Sequence, residues 1–197
     1  MESKQQITDA NSNELVPANE KAPAPVELEL VHLFDKIASV RAFVLDVDGV
    51  LTNNDLLVME NGDLLRTMSV RDGQAIKWAI QAGYPVAIIT GGKSPGVRKR
   101  LTGLGIEEYY SDVLDKWEAL QAFMSRTNTL VSEICYMGDD LPDLPVLRKV
   151  VLSSCPNDAT VEVRDICDYV SPVKGGHGCV RDIIEKVLKV QEKWPEY

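Results

Sequence analysis

Short, unbroken apolar runs alternate with amphipathic stretches along most of this chain. Ala42 to Leu45 is continuously apolar, and similar runs occupy Pro85 to Ile89, Ile134 to Met137 and Val150 to Leu152. Runs this brief, with no polar residue inside them, predict strands covered on both faces. Between them the apolar positions recur at helical spacing. Asp72 is placed to cap a helix carrying Ile76, Ala79 and Ile80 that stops at Gly83; Ser94-Pro95 opens another carrying Val97, Leu101 and Leu104 that stops at Gly105. Asp115 to Met124 and Val180 to Val190 predict two more. Upstream, Leu30, Leu33, Phe34 and Ile37 share one helix face and predict a short docking helix.

Strands separated by helices imply βαβ units, so the expected fold class is α/β: a Rossmann-like doubly wound parallel sheet with helices on both faces. One segment breaks the alternation. Leu56 to Met59 and Leu64-Leu65 flank Asn61-Gly62, which predicts a projecting β-hairpin with a type I′ turn. Between Asp46 and Thr90 there is room only for that hairpin and one helix, and between Thr90 and Asp139 only for two helices and a strand. No cap domain is therefore expected. Residues 1–27 are polar, contain Pro17, Pro23 and Pro25 and lack aromatics, which predicts a mobile leader before a single domain at 28–197.

Composition narrows the class. Of 197 residues, 45% are hydrophobic and 26% charged, enough apolar material for a sizeable core. Lys and Arg number 21 against 30 Asp and Glu, and the resulting charge of −9 has the wrong sign for a nucleic-acid partner. No apolar run approaches the roughly 20 residues of a membrane span, and the opening segment lacks a signal-peptide core, so neither a membrane nor an export route is expected and the cytoplasm is the predicted location. Cys135, Cys155, Cys167 and Cys179 form no Cys-x-x-Cys pair, and only His32 and His177 are available to complete a zinc site. Reduced, mostly buried thiols are expected.

In open parallel sheets the ligand sits beyond the carboxyl ends of the strands, so polar residues just after each apolar run are the first candidates for chemistry. The first run leads into Asp46-Val47-Asp48-Gly49-Val50-Leu51-Thr52. Two carboxylates there suit Mg²⁺ and a nucleophile that attacks phosphorus. Gly49 follows the second Asp too closely for a calcium-binding EF-hand, although a glycosyltransferase-type Asp-x-Asp also fits this tripeptide. Thr90-Gly91-Gly92, just before a helix start, suits a phosphate cradle, or merely a turn. Asp115-Lys116 opens a helix with a lysine that can offset phosphate repulsion, although by itself it reads as a surface lysine. Gly138-Asp139-Asp140 with Asp143 crowds carboxylates that a divalent cation would neutralise, or forms a capping turn.

Taken together and in this order, the four elements resemble the haloacid dehalogenase superfamily of phosphotransferases. More narrowly, these motifs with Val70-Arg71-Asp72-Gly73, Asp143-Leu144-Pro145-Val146 and Gly175-Gly176-x-Gly178-x-Val180-Arg181 resemble the 3-deoxy-D-manno-octulosonate 8-phosphate phosphatase family over about residues 40–190. The resemblance implies Asp46 as nucleophile, Asp48 as acid and base, and Thr90 and Lys116 as phosphate-steadying catalytic groups. It implies Mg²⁺ held by Asp46, Asp139 and the backbone carbonyl of Asp48, with Asp140 and Asp143 orienting those groups. It also implies a homotetramer in which hairpins associate and a neighbour's Lys174-Gly175-Gly176-His177-Gly178 segment closes the site.

In one place the chain departs from that family. The octulosonate phosphatases carry an arginine directly after Thr-Gly, where this chain has Gly92 followed by Lys93. The substrate-binding candidates are accordingly Arg71, Gly91, Gly92, Lys93, Gly175, Gly176 and His177, with Arg71 or Lys93 supplying the cation for a sugar-acid carboxylate. The alternatives are a nine-carbon sugar-acid 9-phosphate as substrate and a non-catalytic oligomerisation or binding module of the same fold.

Overall fold

The computed structural model describes residues 26–196, so the expected leader lies almost wholly outside the described residues. Six strands form one parallel sheet in the order β5-β4-β1-β6-β7-β8: β1 Ala42–Leu45, β4 Val86–Ile89, β5 Glu108–Tyr110, β6 Ile134–Met137, β7 Leu152–Cys155 and β8 Tyr169–Val170. A separate antiparallel pair, β2 Leu57–Val58 and β3 Leu64–Leu65, projects from the connection after β1.

Alternate residues of the central strands feed two cores. Phe43 and Leu45 of β1, Val86 and Ile88 of β4, and Cys135 and Met137 of β6 face the layer of α1 (Val26–Ser39), α2 (Val70–Gln81), α3 (Pro95–Thr102) and α7 (Cys179–Val190). Ala42 and Val44, Ala87 and Ile89, and Ile134 and Tyr136 face α4 (Lys116–Thr127) and two one-turn helices, α5 (Leu144–Leu147) and α6 (Val161–Arg164). This two-sided burial is why these strands read as unbroken apolar runs.

Several boundaries moved. Ser69, not Asp72, caps α2 by accepting from the Asp72 N–H, because Asp72 already lies in the first turn. Ser94 does cap α3, which ends at Gly103 rather than Gly105. The fourth apolar run lies mostly before β7, whose Ser153 and Ser154 are buried polar residues with hydrogen bonds to Asp168 and to the Tyr136 carbonyl. Those hydroxyls hide the strand from an apolar-run criterion. The edge strands β5 and β8 were not expected; they are short and only partly buried.

The hairpin turns where expected but by another geometry. Gly62 has φ +88° while Asn61 does not enter the left-handed region, and Met59 N–H donates to Asp63 C=O. This makes a three-residue loop with glycine at its left-handed position instead of a two-residue type I′ turn. In α1, Ile37 is buried against α7, with Leu33 partly covered, but Phe34 is exposed, so the docking face is narrower than the spacing implied. The four cysteines are free thiols, three of them buried.

Ile88, fully buried in β4 beside β1, anchors the layer beneath the site. Ile88→Ala should cost about 2–5 kcal/mol. A urea titration whose midpoint does not fall would contradict this packing.

Candidate active site

Strands β1 and β6 are neighbours, and they lie where the chain changes direction across the sheet: successive connections run outward through β4 and β5, then return to β6 on the other side of β1. The crevice at such a switch point is open at the strand carboxyl ends. Asp46 follows β1, Thr90 follows β4, Asp139 lies just beyond β6, and Lys116 opens α4. All four line one cleft of about 320 Å³, together with Asp48, Asn54, Gly91, Gly92, Asp140 and Asp143.

Asp46 is held by its own backbone and by charge. Its N–H donates to Met137 C=O at 3.0 Å, one carboxylate oxygen accepts from Val47 N–H at 2.7 Å, and the other lies 2.8 Å from Lys116 Nζ. Lys116 also reaches Asp143 at 2.6 Å. The four contacts to Asp143 use both its oxygens: Lys116 and the Tyr136 hydroxyl on one, the N–H groups of Asp139 and Asp140 on the other. Asp143 therefore fixes its neighbours and has little capacity left for a metal. Asp140 is exposed, and it caps the short turn that carries Asp143.

Two glycines let these carboxylates approach. A Cβ on Gly49, which has φ +82°, would stand 1.9 Å from Asp139 Oδ2, and one on Gly138 would stand 2.3 Å from Asp143 Cγ. Both glycines are required by clearance, and Gly49 also by its backbone conformation.

The electrostatics favour a cation. Asp46, Asp139 and Asp143 are buried and bring ligand oxygens within 4.8 Å of one another. Burial, then the charge on Asp143, pushes the Asp46 carboxyl up to about 6 against the opposing pull of Lys116. Burial, then Asp46 and Asp143, pushes Asp139 up to about 8. Burial by itself would favour a neutral Lys116, but its two carboxylate partners outweigh that cost and raise its pKa. One ammonium does not neutralise three crowded carboxylates, and the all-oxygen donor set suits Mg²⁺. Asp46 and Asp139 are the side chains available to hold it.

The structure brings together Asp46, Asp48, Thr90, Gly91, Gly92, Lys116, Asp139, Asp140 and Asp143, but not the remaining substrate-binding candidates. Arg71 and His177 line a different depression with Arg181 and Glu185. Lys93 is exposed and pairs with Asp112. Gly175 and Gly176 pack against the Gly49 to Asn53 loop of their own chain, where Gly176 N–H donates to Val50 C=O. They buttress the loop from outside the cleft. Two cleft-side residues escaped sequence reasoning. Asn54, with φ 69°, donates to Asp139 at 3.2 Å, and Arg66 beyond β3 forms a two-pronged ion pair with Asp48 at 2.6 and 3.0 Å. The only sequence signal for Arg66 was a lone cation ending an apolar hairpin.

A parallel sheet carrying acid, hydroxyl and acid just past β1, β4 and β6, with a lysine opening α4, defines a class of hydrolase, and residues 108–183 match the family described as haloacid dehalogenase-like hydrolase. The 3-deoxy-D-manno-octulosonate 8-phosphate phosphatase KdsC of Salmonella typhi is 36% identical over 165 residues, 84% of this chain and 88% of that protein. The crystal structure of the phosphatase of that name from Yersinia pestis superposes with a TM-score of 0.81 at 33% identity, covering 82% of this chain and 88% of the other. Its Moraxella catarrhalis counterpart, solved with magnesium ion, phosphate ion and KDO, gives 0.79 at 31% identity, with 81% and 92% covered. The chain belongs to the haloacid dehalogenase-like hydrolases and, within them, to the 3-deoxy-D-manno-octulosonate 8-phosphate phosphatase family.

Gly49→Ala should displace Asp139 and shrink the rise in thermal midpoint that saturating Mg²⁺ produces. In the unaltered protein that rise should correspond to about 2.7 kcal/mol at a hundredfold excess over Kd. An undiminished rise in the variant would show that the cation does not depend on Asp139.

Proposed function

We propose that this protein is a Mg²⁺-dependent phosphatase that hydrolyses 3-deoxy-D-manno-octulosonate 8-phosphate to the free sugar acid and phosphate. The observation that carries the reading is Asp46 at the end of β1, ion-paired to Lys116 in a cleft shared with Asp48, Thr90 and Asp139. In this reading the Asp46 carboxylate bonds to phosphorus as the phosphate ester bond breaks, and Asp48 gives its proton to the departing sugar oxygen. Asp48 then takes a proton from water, which attacks the aspartyl-phosphate and releases Asp46. Thr90, Lys116 and the backbone at Gly91 and Gly92 steady the phosphoryl oxygens during in-line transfer. Bound Mg²⁺, held by Asp46, Asp139 and the main-chain carbonyl of Asp48, supplies positive charge that lets a carboxylate approach a phosphate dianion.

Two further parts of the proposal concern setting. The hairpin exposes Leu56, Leu57, Val58, Met59, Leu64 and Leu65, and this open apolar ribbon supports association of copies as a homotetramer. A cytoplasmic location accords with a sugar-phosphate substrate, and no helix among the described residues is long and apolar enough to cross a membrane. Because Gly92 stands where the octulosonate phosphatases typically carry arginine, a nine-carbon sugar-acid 9-phosphate is kept as the second reading.

Phosphate release should be compared among the octulosonate 8-phosphate, a nine-carbon 9-phosphate and an aryl phosphate, with Mg²⁺ and after chelation. The octulosonate should be preferred, chelation should abolish turnover, and Asp46→Asn should lower it by roughly a thousandfold or more, the scale on which loss of a nucleophile acts. Preference for the nine-carbon acid would transfer the assignment, and turnover of none would leave the binding-module reading.

A further inference from the structure

The residue just past the hairpin reaches a side chain of the cleft. Arg66, one residue past β3, sends its guanidinium to Asp48, with Nε 2.6 Å from one carboxylate oxygen and Nη2 3.0 Å from the other. Its side chain is only 6% exposed although the hairpin before it is largely open to solvent. It lines a small depression together with Val47, Thr90, Gly92, Val97 and Tyr109. A fork onto both oxygens fixes the rotation of a carboxylate as well as its position, which a single ammonium contact does not.

Gly92 makes room for this pair. A Cβ there would lie 3.1 Å from Asp48 Oδ2, 3.4 Å from Thr90 Oγ1 and 3.5 Å from Arg66 Nη2, so any longer side chain pointing that way would compete with the fork. The position that lacks a cation in this chain is thus filled from the hairpin.

We propose that Arg66 is a positioning residue that holds Asp48 in the orientation needed to protonate the leaving oxygen. The inference rests on the reading of Asp48 as the acid. Both facing N–H groups of Arg66 are committed to Asp48, at the phosphate end of the substrate, whereas the sugar-acid carboxylate lies at the opposite end of the carbon chain. Arg66 therefore acts through Asp48, not as the carboxylate's anchor.

Leaving-group dependence separates the roles. An alkyl ester must expel an alkoxide and needs a proton from Asp48; an aryl ester expels a phenoxide and needs it far less. The Mg²⁺-loaded full chain, Arg66→Met and Arg66→Lys should be compared by kcat/KM, which reports the steps through ester cleavage. The substrates are the octulosonate 8-phosphate, glycerol 3-phosphate, which is an alkyl ester without a carboxylate, and p-nitrophenyl phosphate. Arg66→Met should lower kcat/KM for both alkyl esters at least about tenfold more than for the aryl ester, within the range of general-acid effects, and Arg66→Lys should restore part of the difference. An equal loss on all three substrates would reduce Arg66 to a structural tie and overturn the proposal. A loss confined to the octulosonate would make Arg66 a carboxylate anchor and overturn it as well. If the unaltered enzyme cleaves the two simple esters but spares the octulosonate, the substrate assignment fails while the alkyl-to-aryl comparison still decides the role of Arg66.

Discussion

Lys116 stands between two buried carboxylates, 2.8 Å from Asp46 and 2.6 Å from Asp143, and the rest of the site is arranged around keeping it there. Three buried ions cost several kcal/mol each to desolvate, so the arrangement persists only where each has partners of good geometry. Asp143 has them in full: the Tyr136 hydroxyl and two backbone N–H groups complete what Lys116 begins. Asp46 and Asp139 do not, and burial, with repulsion from Asp143 on both and from Asp46 on Asp139, raises their pKa values. Three carboxylates against one ammonium leave a deficit of two positive charges, the charge of one divalent ion. The fit to a divalent ion and the placement of Lys116 thus have a common electrostatic origin.

Steric clearance is the second constraint. Carboxylates from β1 and β6 meet because the loop after β1 carries Gly49 and the turn after β6 starts with Gly138, each at a point where a methyl group would overlap an acid. Gly175 meets the same restriction behind the loop, where its Cβ would stand 1.9 Å from the Gly49 carbonyl. The glycine-rich segment before α7 and the loop after β1 therefore lock together within one chain, so a segment far along the sequence sets the position of Asp48 and its neighbours.

No cap domain intervenes between β1 and β4; only the hairpin and α2 do. The segment consequently has two sides. Its apolar residues face outward, while Arg66 at its base turns inward onto Asp48 and occupies the space left open by Gly92. Gly92 at the cleft wall is in this way coupled to a residue at the base of a projecting ribbon.

Much of the fold and the core of the site were legible in the chain itself, for a local reason. Strands buried on both faces must be apolar throughout, so β1, β4 and β6 announced themselves, and residues that follow a parallel strand must lie at its carboxyl end, which placed Asp46, Thr90 and Asp139 together. Asp115 marked Lys116 as a residue opening a helix, but its place in the site was legible only from the four motifs taken together. The tertiary structure decided whatever depends on distances between segments far apart in sequence. It placed Arg71, Lys93 and His177 outside the cleft and seated Gly175 and Gly176 behind it. It brought in Asn54 and Arg66, and revealed β7 through serines whose hydroxyls find partners only on neighbouring strands and loops. Periodicity and strand ends are properties of consecutive residues and can be read from them; a hydrogen bond between residues 48 and 66 is set by how a hairpin folds over a sheet.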